Sequence, residues 1–118
     1  MQEARALIRN VSKGTVLADK AGVADTSEKR RTGLLKHTGL ASGEGLWIKP
    51  SEGVHTFGMK FAIDVIFVNK KGIVVKLRPN MVKRRISLCL SAKSVVELPV
   101  GVIQSSRTEV GDQLEFVR

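Results

Sequence analysis

The chain has 118 residues, of which 42% are hydrophobic, a net charge of +9 at pH 7 and one cysteine, Cys89. This is enough apolar material for one small core. It excludes an internal disulfide, a zinc site built from thiolates and a membrane-spanning helix, because no apolar run reaches the roughly 18 residues that a span requires. His37 and His55 are the only histidines, so neither a metal nor a cofactor is expected. The N-terminus has no apolar stretch of signal-peptide length. The chain as it stands reads as soluble and cytoplasmic, with an exported form the alternative if a leader has been removed.

In chain order, residues 1–14 read as an N-terminal extension or a first strand, and "TVLADKAGVAD" as a strand that leads into a helix. That helix is expected over about 26–37, with Asp25 and Glu28 as a capping pair and Leu34 and Leu35 facing inward. Gly33 then falls inside it, at a cost of about 1 kcal/mol relative to Ala, which suggests a close backbone contact. Gly39 ends the helix. "GLWIK" is a short strand stopped by Pro50, and "IDVIFVN" (63–69) is the clearest strand in the chain. "NKKG" is a hairpin turn, and "IVVKLR" returns as the second arm. "MVKRRISLCLSAK" reads as a long basic connection, "SVVELPV" as a strand closed by Pro99, and about 99–106 as a short helix. A Gly-Asp turn and a last strand finish the chain. The strands do not alternate with long helices, which argues against a doubly wound parallel sheet. The expectation is a single α+β, mostly β domain over 1–118, with a curled antiparallel or mixed, barrel-like sheet.

Charge is uneven. No acidic residue lies between Asp64 and Glu97, whereas eight basic residues lie from Lys70 to Lys93; Lys29, Arg30, Arg31 and Lys36 form a second cluster. Such asymmetry suits an anionic small molecule or protein surface, although a merely solvated face is the plainer reading. The basic segment lacks interleaved aromatics and a helix-turn-helix pattern, so specific nucleic-acid binding is not expected.

"VADTSEKRRTGLL", "HTFGMKFAIDVIFVNKKGIVV" and "VVELPVGVIQSSRTEVGDQLEF" together resemble the DUF192 (UPF0127) family, with the blocks in family order over about Thr15–Val117. The resemblance implies a small β-rich domain of unknown function, found mostly in bacteria and archaea. It implies no agreed reaction or catalytic residue. Many relatives carry "FWMKNT" where this chain has "FGMKFA" at Phe57–Ala62. A closer subgroup with "HTFGM" often has Cys where this chain has Ser51, and Cys near Cys89.

Two classes of function follow. The first is a binding or accessory domain that recognises an anionic ligand or partner, with Lys60, Met59, Trp47, Arg84 and Arg85 as candidate contacts. The second is a hydrolase-like enzyme in which Asp64 orients a His55 general base beside Lys60. A purely structural interaction protein is also compatible, and whether any reaction is catalysed stays open. Each candidate has a structural alternative. Asp64 would tie down a strand entry, Met59 and Trp47 would fill core, Lys60 would snorkel and Cys89 would simply be buried. Glu97 lies among apolar residues and requires a partner, for which Arg107 and Lys60 are the candidates.

Overall fold

The computed structural model describes residues 5–118. Residues 1–4, the start of the segment read as an extension or first strand, lie outside the described residues. The rest of that segment holds β1 (Arg5–Asn10), followed by β2 (Thr15–Ala24), α1 (Ser27–Thr32), β3 (Glu44–Ile48), β4 (Gly53–His55) and β5 (Ile63–Val68). Then come β6 (Val74–Met81), β7 (Ile86–Leu88), β8 (Ser94–Leu98), α2 (Val102–Ser105) and β9 (Leu114–Val117). Seven strands form one sheet in the order β6-β5-β8-β3-β2-β1-β9, while β4 and β7 pair separately. Among the described residues only β2 and β3 run parallel; the other pairings are antiparallel. The sheet curls into a half-barrel, the mostly β architecture that the patterning predicts. No helix among the described residues is long and apolar enough to cross a membrane.

Alternation along the strands sorts side chains onto two faces. The inner face of the curl packs Ile8, Leu17, Ile66, Val96, Leu98 and Leu114, with Ile103 of α2 among them. The outer face packs Ile63, Val65, Phe67 and Val95 beneath Leu34, Val54, Met59 and Met81. Because both faces are covered, every residue of β5 and of β8 is buried. That is why these two strands read as continuous apolar runs rather than alternating ones.

The β5–β6 turn follows directly from its sequence. Asn69 Oδ1 accepts hydrogen bonds from the amides of Lys71 (2.9 Å) and Ile73 (3.0 Å). Gly72 takes φ +82°, and a Cβ there would stand 2.9 Å from the Leu114 carbonyl oxygen. This close approach lets the Leu114 amide donate to Gly72 O at 2.8 Å, so the β6 end of the sheet meets the β9 end.

Three expectations are corrected. The first helix is shorter than 26–37. Thr26, not Asp25, is its N-cap and accepts from the Lys29 amide at 3.2 Å; Gly33, at φ 48° and ψ −126°, ends it. That conformation is closed to residues with a Cβ, so Gly33 is a terminator rather than an interior glycine. The second helix spans only Val102–Ser105. Finally, the basic connection contains a strand, because β7 pairs with β4 through Gly53↔Leu88, Val54↔Ser87 and His55↔Ile86.

A polar knot holds the far end of the curl. Asp112 accepts from Asn10 Nδ2 (2.9 Å), the Glu109 amide (2.9 Å) and Lys13 Nζ (2.8 Å), while Asn10 Nδ2 also donates to Thr108. Burial pushes the Asp112 carboxyl up, but the hydrogen bonds from Asn10, Lys13 and the Glu109 amide outweigh it and hold it below its ordinary value. A lowered carboxylate pKa stabilises the fold above the unfolded-state value of 3.8, and this contribution is lost as pH falls through the folded value. Asp112→Asn should therefore cost roughly 2–3 kcal/mol at neutral pH. In urea denaturation the gap to the native protein should close in strong acid; a gap independent of pH would contradict the linkage.

Candidate functional site

The outer face carries the concave surface. Parallel pairing of β2 with β3 sets Lys20 beside Glu44 and Gly22 beside Leu46, and Arg5 of β1 lies opposite Gly22. By strand alternation these side chains share the outer face. The helix α1 and the loop after Gly33 stand over them and add Lys29, Lys36 and His37, enclosing a cleft of about 490 Å³. Leu34, Leu40 and Leu46 make its lining partly apolar. Gly22 keeps the floor open, since a Cβ there would stand 3.2 Å from Leu46 Cδ1 and 3.3 Å from Arg5 Nη1.

Four cations, Arg5, Lys20, Lys29 and Lys36, face two carboxylates, Glu28 and Glu44. Glu44 is engaged by the Ala41 amide at 2.7 Å. Among the described residues the only ion pair made by these cations is a long contact, 3.8 Å, between Lys20 and Asp19. The cleft thus holds cations whose charge is not matched within it.

Thr32, Gly33 and Leu34 line both this cleft and a second hollow of about 100 Å³. The second hollow is bordered by Arg30, Arg31, Ser51, His55, Met59 and Glu97. Glu97 pairs with Val65 and Leu46 in the middle of the sheet and is 4% exposed. No side chain among the described residues bonds to its carboxylate. Arg107, one expected partner, instead donates to the Lys13 carbonyl, and Lys60 is exposed. Without a partner, burial raises the Glu97 carboxyl to about 7.

The structure does not join His55 to Asp64. His55 lies exposed on β4, whereas Asp64 is buried in β5. Asp64 Oδ1 accepts from the Asn80 amide (2.8 Å), and Oδ2 accepts from the amides of Gly101 (3.1 Å) and Ile103 (2.9 Å). Those three bonds tie β5 to the left-handed Asn80 (φ 50°) and to the start of α2. The other candidates are scattered. Met59 is in the outer core and borders the small hollow. Trp47 packs against the inner core, stacks on Phe116 at 4.2 Å and has Lys49 Nζ 4.3 Å from its ring centroid. Arg84 and Arg85 are exposed on the turn before β7. The cleft residues Arg5, Lys20 and His37 were not singled out by sequence reasoning; only the cluster containing Lys29 and Lys36 pointed there.

A half-barrel with a helix-walled basic cleft defines a small β-rich domain. The family model DUF192, described as an uncharacterized ACR, matches residues 8–116, and the chain belongs to that family. A UPF0127 protein of Thermococcus sibiricus is 34% identical over 115 residues, covering 93% of this chain and 74% of the relative. One from Pyrococcus furiosus is 36% identical over 112 residues, covering 92% and 97%. The crystal structure of a protein of unknown function from Novosphingobium aromaticivorans superposes with a TM-score of 0.82 at 20% identity, covering 98% of this chain and 86% of that one. A Sinorhizobium meliloti protein described as a candidate transcription regulator gives 0.86 at 18% identity, covering 98% and 96%. At such identities these two structures speak to the fold alone.

Asp64→Ala would strand three amides and should destabilise the fold by roughly 3–5 kcal/mol in urea titration. An effect under about 1 kcal/mol would mean that water replaces the carboxylate. For Glu97 the sign is opposite to that of Asp112. Its folded value of about 7 lies above the unfolded 4.5, so its contribution is full below 4.5 and is lost as pH rises through 7. The shift corresponds to roughly 3 kcal/mol. Glu97→Gln should be the more stable form by up to that amount at pH 8 and should show no such advantage at pH 4; a constant difference across pH would refute the assignment.

Proposed function

We propose that the chain works as a single binding domain whose basic cleft between α1 and strands β1–β3 holds an anionic small molecule. The observation that carries this reading is the set of four cations, Arg5, Lys20, Lys29 and Lys36, around a cleft of about 490 Å³ with an apolar lining. The volume suits a metabolite-sized ligand. Cationic walls focus the field and attract phosphate or carboxylate groups. The leucines Leu34, Leu40 and Leu46 would receive the less polar part of the ligand. The cations come from four separate segments of chain, so the fold itself gathers them.

Calorimetric titration with pyrophosphate and with citrate, at about 20 mM and about 300 mM NaCl, tests this reading. Binding should be measurable at low salt and weaken at high salt. Lys20→Glu combined with Lys36→Glu should weaken it by about tenfold or more. The charge-matched pair Lys70→Glu and Lys71→Glu, on the distant β5–β6 turn, should leave it unchanged. Absence of binding by either anion, or equal losses in both double variants, would defeat the proposal.

A further inference from the structure

A second surface of the outer layer has a different chemistry. Phe57, Val82, Ile86, Leu88 and Leu90 are all large, apolar and between 42% and 79% exposed. They cluster on and around the β4–β7 ribbon. Within β7, Ile86 and Leu88 share the outward face while Ser87 points in and is buried. Leu88 lies over Gly53, where any Cβ would collide with Leu88 Cδ2. A shallow open hollow of about 480 Å³ runs between Val54, His55, Phe57, Ile86 and Leu88. Exposed aliphatic clusters of this kind mark interaction surfaces.

Cations border this patch at the 83–85 turn and at Lys76. The turn Lys83-Arg84-Arg85 precedes β7 with all three residues exposed. Its shape is imposed by Thr56, which is fully buried. Thr56 Oγ1 donates to Val82 O (2.6 Å) and accepts from the Arg85 amide (2.9 Å), and the Thr56 amide donates to Arg85 O (2.8 Å). Arg84 is held at φ 62°, a left-handed conformation unusual for a residue with a long side chain. Arg85 Nη1 reaches back to the carbonyls of Lys83 and Arg84, at 3.4 and 3.3 Å. Lys76 Nζ caps the Leu88 carbonyl at 2.8 Å, at the edge of the ribbon. From residue 53 to residue 96 the only carboxylate is Asp64, which is buried and engaged on the other face of the sheet; the exposed Glu52 adjoins one end of the ribbon, where its backbone carbonyl accepts from the Cys89 amide at 2.8 Å. The patch therefore faces solvent as aliphatic side chains bordered by a cationic turn whose strain is stabilised by a buried threonine.

We propose that the β4–β7 ribbon and the 82–85 turn form a docking face for an anionic lipid surface. Aliphatic side chains that enter the acyl boundary, flanked by lysines and arginines that meet acidic headgroups, are the two ingredients of interfacial binding. The long basic side chains can lie along the apolar patch with their charges at headgroup level. A nucleic acid would use the cations and leave the aliphatics unpaired. A protein interface would favour an aromatic-rich centre depleted of charge, whereas here the only rings are Phe57 and the neighbouring His55, and cations border the patch at the 83–85 turn and at Lys76.

The test is co-sedimentation of the whole chain with vesicles of phosphatidylcholine alone and with roughly 30% phosphatidylglycerol added. Binding should be at least about tenfold stronger to the anionic vesicles and should weaken with salt. Ile86→Asp with Leu88→Asp should reduce it by about tenfold or more, with an unchanged thermal melt because both side chains already face water. Lys83→Gln, Arg84→Gln and Arg85→Gln together should remove the preference for phosphatidylglycerol. Leu90→Trp should show a blue shift in emission on adding anionic vesicles, which reports insertion without relying on a disruptive variant. The Lys20 and Lys36 variants should bind vesicles normally, which separates this face from the basic cleft. The proposal is overturned by absence of binding to anionic vesicles at low salt. It is equally overturned if the aspartate variants bind as well as the native protein, or if the face captures an acidic protein partner while ignoring vesicles.

Discussion

The structure depends on one constraint: β5 and β8 are buried on both faces, and each carries a carboxylate into that environment. Asp64 and Glu97 sit on neighbouring strands, with Asp64 opposite Leu98 and Glu97 opposite Val65. Alternation sends them to opposite faces. On the inner side Asp64 meets three backbone amides and becomes a clamp that joins β5, the end of β6 and the start of α2. On the outer side Glu97 meets apolar side chains and a small hollow, and burial drives its carboxyl toward neutrality. The same burial thus yields a structural anchor in one case and a proton-holding group in the other. Partner supply decides which, because a buried charge without hydrogen bonds is more costly than a neutral acid.

The outer layer is where a rigid sheet becomes a set of surfaces. Its covering pieces are short: α1, the loop after Gly33, and the β4–β7 ribbon. None is long enough to fold alone, so each is held by packing on the sheet and by a few specific bonds. Gly33 stops α1 and lets the following loop fold over the cleft. Thr56 fixes the basic turn. These segments cover the apolar sheet incompletely, leaving the basic cleft on one side of Thr32–Leu34 and the small hollow containing Glu97 on the other. The cations of the cleft come from both layers: Arg5 and Lys20 from strands β1 and β2 of the sheet, Lys29 and Lys36 from α1 and the loop beyond it.

The turn at Asn69–Gly72 announces itself because the asparagine side chain and the glycine φ are requirements of the turn itself. The strand 63–68 is legible because burial on both faces leaves an uninterrupted β-branched run. The extent of α1 is not legible locally, because "LLKH" has good helix formers and only the conformation at Gly33 turns the chain away. The ribbon of β4 and β7 is hidden from local pattern for another reason. "GVH" and "ISL" are three residues each, too short to carry a periodicity, and each becomes a strand only because the other lies beside it.

The sequence by itself determined the class of fold, the core strands and the polarity of the surface, since these follow from local pattern and composition. Family membership was legible too, because its motifs are contiguous. Tertiary structure alone decided which charged residues meet. His55 and Asp64 are nine positions apart and are not joined. Arg5, Lys20 and Lys36 are widely separated in sequence and share one cleft. The physical reason is that a strand sends neighbouring side chains to opposite faces, and the strand order is set by long-range hydrogen bonds. Proximity along the chain therefore says little about proximity in space.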